Sequence, residues 1–172
     1  MKLNKLPTLH YAFADDAEKL NRALVDGFMR HIDDPSIKRT HFFGGRYENI
    51  YIDSNSIPEI DTVLNTAIKH AAEILSMPAT GLKAGLWFNA MGKGEVTTAH
   101  RHDDDDELLS AVYYVQIPDQ SGQITLFEKN FSISVKPEAG MFVFFPPDML
   151  HDVSANLNDE MRLSLGINIG PA

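Results

Sequence analysis

From Leu82 onward the chain is cut into short apolar segments by turn residues, and this rhythm constrains the fold more than any other feature of the 172 residues. Leu82–Asn89, Glu95–His100, Leu108–Gln116, Gln123–Phe127, Phe131–Val135, Met141–Phe145, His151–Ser154 and Met161–Ile169 read as strands. Between them stand Gly92 and Gly94, Pro118 to Gly122, Pro137 to Gly140, Pro146-Pro147 and Asn156 to Asp159. Eight short strands at this spacing predict a sandwich or barrel, and a jelly roll is the eight-stranded solution.

The first third has a different period. Ala17, Leu20, Ala23, Leu24, Phe28 and Ile32 recur at helical spacing behind the candidate caps Asp15 and Asp16, and Asp33-Asp34-Pro35 ends that helix. A Gly44-Gly45 turn leads into a short strand. Ser56-Ile57-Pro58-Glu59 reads as a capping box opening a second helix, whose stripe is Ile60, Val63, Leu64, Ala67, Ile68 and Ala71. The expected fold is mostly β with N-terminal helices. It forms a single domain over 1–172, with helical support over roughly 1–80 and a jelly-roll core over roughly 82–170.

Composition narrows the partners. Hydrophobic residues make up 44% and charged residues 23%, as in an ordinary globular protein. A formal net charge of -9 disfavours phosphate backbones and anionic membranes, so neither nucleic acid nor a bilayer is expected as a partner. The absence of cysteine excludes disulfides and thiolate catalysis and sits easily with a cytoplasmic location. The N-terminus reads as neither signal peptide nor anchor, and no run of about 18 apolar residues exists to span a membrane. Composition does not indicate an oligomeric state.

The chemistry gathers in TTAHRHDDDDELLS, residues 97–110. Strand side chains alternate, so His100 and His102 share a face, about 6–7 Å apart along an extended chain, and can chelate one ion. A third ligand must come from elsewhere, and His151, after an apolar strand and a double proline, is the best candidate. His151 to Arg162 reads as a hairpin, with His151 opposite Ser164 and Arg162 as a diagonal neighbour. Arg162 and Ser164 share a face and form a carboxylate clamp, a fork of N–H donors plus one hydroxyl. Such a site suits a small acid that chelates the metal at one end and meets the arginine at the other.

The words WFNAMGKGEVTTAHRH, LLSAVYYVQIP, SGQITLFE, PEAGMFVFFPPDMLHDV and RLSLGIN follow in order over residues 87–168. In them the chain resembles the iron(II)- and 2-oxoglutarate-dependent dioxygenases, in particular a bacterial and phage branch. The resemblance implies a double-stranded β-helix core, with iron(II), 2-oxoglutarate and O2 as cofactor and cosubstrates. It implies iron ligands at the His-x-(Asp or His) step and the distal histidine, and Arg162, Ser164 and Tyr114 around the far carboxylate of 2-oxoglutarate. Oxygen activation, decarboxylation to succinate and oxidation of a substrate C–H bond follow from it.

Two ligand assignments fit the residues. The favoured one is His100, His102 and His151; the rival reads His102-x-Asp104, which restores the commoner two-histidine, one-carboxylate set. The spacing from Gly94 through His100-x-His102 to Glu107 is also similar to the cupins, which would use Glu107 as a fourth ligand and have no need of Arg162. A metal-dependent cupin, or a small-ligand module without turnover, is therefore the alternative. The substrate itself is not legible. Arg46, Tyr47, Asn49, Asn89 and Asn168 are candidates to line its pocket. Trp87, Phe88 and Phe142 to Phe145 read as core packing. Of the adjacent Tyr113 and Tyr114, one faces the core.

Overall fold

A computed structural model describes residues 9–102 and 106–172. Two antiparallel sheets face each other. The larger has seven strands in the order β1(His10–Phe13), β9(Met141–Phe145), β6(Leu109–Gln116), β11(Arg162–Pro171), β4(Leu82–Met91), β3(Arg46–Tyr51) and β2(Lys38–Phe43). The smaller has four, in the order β5(Thr97–His100), β10(Leu150–Val153), β7(Ile124–Glu128) and β8(Phe131–Val135). This is the expected jelly-roll core. All eight expected strands form, with ends within two residues of the spacing-based limits, and β3 is the short strand after the Gly-Gly turn.

Helices α1(Ala17–His31) and α2(Glu59–Leu75) cover the outer face of the large sheet. Leu20, Leu24 and Phe28 of α1, with Ile60, Val63, Ala67 and Ala71 of α2, are buried on that face. Phe28 packs on Phe88 with ring centroids 5.2 Å apart. The large sheet is therefore covered on both sides, which is why β9 reads as an unbroken apolar run rather than an alternation. Phe142 and Phe144 point to the helices, whereas Met141, Val143 and Phe145 point into the sandwich.

The same alternation sorts β11. Leu163, Leu165, Ile167 and Ile169 lie under the helices. The intervening Arg162, Ser164, Gly166 and Asn168 share the opposite face, toward the sandwich interior. On β6, Tyr113 belongs to the helix side and Tyr114 to the interior, and both are fully buried.

Two expectations fail, and two strands form that the sequence did not mark. No capping box opens α2: the Ser56 N–H donates to Asp53 Oδ1 at 3.1 Å, so the local Asp53 turn takes the donor and no side chain caps the helix. The strands β1 and β2 carry no clear alternation in sequence; β1 is a four-residue edge strand and β2 is an edge that pairs only with β3. Finally, β10 and β11 do not form a hairpin. They belong to different sheets, so His151 lies across the sandwich from Ser164 rather than beside it. The buried Asn156 holds this crossing, donating to Met91 O and Glu160 O, each at 2.9 Å. Among the described residues no helix is long and apolar enough to cross a membrane.

Candidate metal and 2-oxoglutarate site

The mouth of the sandwich is where two of the histidines are paired by the sheet itself. His100, at the end of β5, is the register partner of His151 on β10, and their ring centroids are 4.3 Å apart. His102 follows just beyond β5, held by its backbone N–H on Pro147 O at 2.7 Å. Its ring lies 5.0 Å from that of His100 and 5.4 Å from that of His151. One ligand atom from each of the three falls within 4.8 Å of the others.

Two of the rings are oriented for a metal. His100 Nδ1 lies 2.7 Å from Thr98 O, and His151 Nδ1 lies 2.8 Å from Met149 O. A carbonyl can only accept, so each Nδ1 carries the proton and each Nε2 keeps its lone pair for an ion. Burial, with His100 and His102 nearby, pushes the His151 pKa down to about 3, against the opposing pull of Met149 O. The imidazole is therefore neutral, the ligand form, at physiological pH.

Deeper in the same chamber stands a buried cation. Arg162 is 1% exposed, and its Nη1 donates to Ser164 Oγ at 3.0 Å. Its Nε and Nη2 have no partner among the described residues, and neither has the buried Tyr114 hydroxyl. The guanidinium carbon sits 5.4 Å from the Tyr114 ring centroid. Burial lowers the Arg162 pKa, with Tyr114 opposing and Arg46 adding to the shift, yet a guanidinium stays charged. An unpaired buried charge costs several kcal/mol. Two spare guanidinium donors and a phenol hydroxyl thus await an anion, and a carboxylate has the matching acceptor geometry. Val112, Ile124, Phe145 and Val153 line the same chamber with apolar surface.

A family model described as "Putative 2OG-Fe(II) oxygenase" matches residues 85–135. That segment, spanning β4 to β8, is similar to the iron(II)/2-oxoglutarate-dependent oxygenases. A prolyl-4-hydroxylase from Pseudomonas putida shares the fold with a TM-score of 0.74 at 22% identity, covering 94% of this chain and 92% of that one. The epimerase SnoN of nogalamycin biosynthesis, solved with Fe3+, alpha ketoglutarate and nogalamycin RO, aligns with a TM-score of 0.72 at 14% identity over 95% of this chain and 79% of its own. A Trichoplax adhaerens prolyl hydroxylase bound to a hypoxia inducible factor peptide aligns with a TM-score of 0.65 at 12% identity over 94% and 83%. A search of curated protein sequences finds no match.

The other sequence candidates divide. Asp104 lies outside the described residues. Glu107 is not among the clustered ligands; its carboxylate accepts from Asn168 Nδ2 at 2.9 Å, which removes the fourth ligand the cupin reading needs. Arg46 is a tie between the sheets rather than a substrate group. Its donors reach Asn89 Oδ1 at 3.2 Å and Ala90 O at 3.1 Å on β4, then Val96 O at 2.7 Å and Thr97 Oγ1 at 3.1 Å at the start of β5. Asn89 faces the inner chamber, but its amide is spent on Arg46 and on Thr97 Oγ1 at 2.9 Å. Tyr47 is exposed, packs its ring against Phe42 at a 60° tilt with centroids 4.9 Å apart, and lines neither the inner chamber nor the outer cleft. Asn49 and Asn168 do line an outer cleft that opens onto the histidines.

Trp87 is the residue that sequence reasoning misplaced. It is not core: it borders both the inner chamber and the outer cleft, 5.5 Å from the His102 ring. A Cβ on Gly166 would stand 2.4 Å from the indole, so that glycine leaves the space the ring occupies. Strand period places Trp87 on the face of Asn89, but only the pairing of β11 with β4 sets Gly166 opposite the ring.

Proposed function

We propose that His100, His102 and His151 hold the iron(II), and that Arg162, with Ser164 and Tyr114, binds the far carboxylate of 2-oxoglutarate. The carrying observation is the buried Arg162, whose Nε and Nη2 lack partners beside the equally unpartnered Tyr114 hydroxyl, in the chamber that the three histidines close. The overall reaction is a hydroxylase-type oxidation: substrate R–H, O2 and 2-oxoglutarate give R–OH, succinate and CO2. Iron with its chelated keto acid supplies the oxygen chemistry.

The chain supplies geometry. Thr98 O and Met149 O fix the two imidazole tautomers and aim their Nε2 lone pairs. Arg162 cancels the distal carboxylate charge, and Tyr114, its pKa pushed up to about 12 chiefly by burial, keeps its proton to donate. The apolar walls of Val112, Ile124, Phe145 and Val153 exclude bulk water from the keto-acid end. Residues 1–172 act as one domain, in the reducing cytoplasm that a cysteine-free chain suits.

Anaerobic titration of the metal-free protein with iron(II) and then 2-oxoglutarate tests the assignment through the visible charge-transfer band of the chelate. The band is expected, lost in Arg162→Ala and in His102→Ala, and kept in Asp104→Ala. Loss in Asp104→Ala with retention in His102→Ala would move the ligand to Asp104; iron binding without any band would sink the 2-oxoglutarate assignment.

A further inference from the structure

Six polar side-chain atoms in the large sheet and the Glu107 segment beside it are buried without a partner among the described residues, and they fall into two groups. Arg162 and Tyr114 are one group and belong to the carboxylate end described above. The other lies at the far end of β11, where the Oδ1 of Asn168, the Oε2 of Glu107 and the Oγ of Ser110 are all orphaned. Asn168 and Arg162 share the inward face of β11 but stand six residues apart, about 20 Å along a strand. The second group therefore serves something other than the keto acid.

This second group is built, not incidental. The Leu108 N–H donates to Ile169 O at 2.8 Å and lays the Glu107 segment along β11. Asn168 Nδ2 donates to Glu107 Oε1 at 2.9 Å. The carboxylate can only accept, so it fixes the amide with its oxygen turned away. Ser110 is the cross-strand partner of Asn168. The result is an anionic oxygen and an amide oxygen, both shielded and both needing donors.

Glu107 and Asn168 line a cleft of about 360 Å³ that reaches His100 and His102, with Trp87, Tyr51 and Phe43 as aromatic walls. The other carboxylate there, Glu48, is already committed: its oxygens accept from the Thr98 N–H at 2.8 Å and the Thr98 hydroxyl at 3.0 Å. Arg101 also borders the cleft, on its exposed, solvent side. Buried acceptors reject an anionic ligand, and a shielded carboxylate calls for a cation rather than a neutral donor. Aromatic faces beside a carboxylate favour the same charge.

We propose that this cleft is the substrate site and that it takes an alkylammonium or alkylguanidinium chain. The cationic nitrogen meets Glu107 and Asn168, and the hydrocarbon stem runs along Trp87 toward the histidines, where a C–H bond several atoms from the nitrogen is oxidised. Trp87 pairs with Gly166, one inward step, about 7 Å, from Asn168, so a short stem spans the gap. The inference rests on the oxygenase reading of the histidines.

Trp87 is the only tryptophan and walls this cleft as well as the inner chamber, so its fluorescence and single indole N–H resonance report the cleft when each series is run at a fixed zinc(II) and 2-oxoglutarate concentration. The 172-residue chain is titrated in salt-matched buffer with n-butylammonium, n-butylguanidinium, butyramide and butyrate, with and without zinc(II) and 2-oxoglutarate. The two cations are expected to give saturable Trp87 shifts that butyramide and butyrate do not. Glu107→Gln, which keeps an acceptor for Asn168, weakens the cations roughly tenfold to a hundredfold, and Glu107→Ala does the same. Equal binding of butyramide, no response to either cation, or an unaltered response in both variants overturns the proposal. The iron chelate band separates the two readings: a band without cation binding removes only the substrate class, and cation binding without a band removes only the metal and keto-acid assignment.

Discussion

His100 and His151 are register partners across the β5–β10 pair, and their rings stand 4.3 Å apart with each Nδ1 bound to a carbonyl two residues earlier in the chain. The sheet thus brings together side chains that are 51 positions apart in sequence (100 to 151). On the proposed assignment, replacing either with alanine removes one of three iron ligands. Iron(II) affinity is expected to fall by more than the roughly 10–100-fold typical of losing an outer-sphere partner. Equilibrium dialysis of the two variants measures it; near-native affinity in His151→Ala would place the iron elsewhere.

Arg162 sets ligand binding against stability. It is buried and half-partnered in the ligand-free chain, so it weakens the fold it belongs to. Arg162→Met, similar in volume and uncharged, is expected to stabilise the ligand-free protein by about 1–3 kcal/mol while abolishing the 2-oxoglutarate chelate band. Chemical denaturation and the anaerobic titration give the two readings. A destabilised variant would mean that the Nη1 contacts with Ser164 Oγ at 3.0 Å and Met91 Sδ at 3.8 Å outweigh the uncompensated charge.

Tyr113 and Tyr114 make the protein sensitive to alkali. Burial pushes both pKa values up to about 12, whereas the unfolded chain releases such protons near pH ~10. Between those values the native state holds more protons than the unfolded state, so stability falls as pH rises through this window. Urea midpoints below and above pH ~10 measure the slope. Tyr113→Phe, which also loses the 2.6 Å bond to Asn21 Oδ1, is expected to flatten it. An unchanged slope would assign the alkaline loss to other groups.

Gly166→Ala tests how tightly the cleft wall is fitted. The added methyl meets Trp87 Cε2 and Cζ2 at 2.4 Å, so the indole must shift. A cost of about 1–3 kcal/mol is expected from such overpacking, together with a changed Trp87 emission and weaker turnover of the native substrate. An unchanged emission spectrum would show that the ring has room the structure denies it.

The sequence alone determined the class of fold, because strand length, turn residues and the switch from helical to strand period are local properties. Each of the eight strands after Leu82 could be marked from its own residues and the turns around it. The chemistry was equally legible in kind: three histidines, a lone arginine with a serine two residues on, and no cysteine admit few metal-site designs. Pairing was decided only by the tertiary structure. The stretch between His151 and Arg162 reads as a hairpin, yet Asn156 is bonded to Met91 O and Glu160 O and sends the chain to the opposite sheet. Local spacing carries no record of that choice, because it depends on a carbonyl 65 residues away. For the same reason Trp87 read as core, Arg46 read equally as a pocket residue or a structural tie, and Glu107 fitted a cupin's fourth ligand only as the alternative. A side chain's face follows from the strand period, but what waits opposite that face is set by residues distant in sequence.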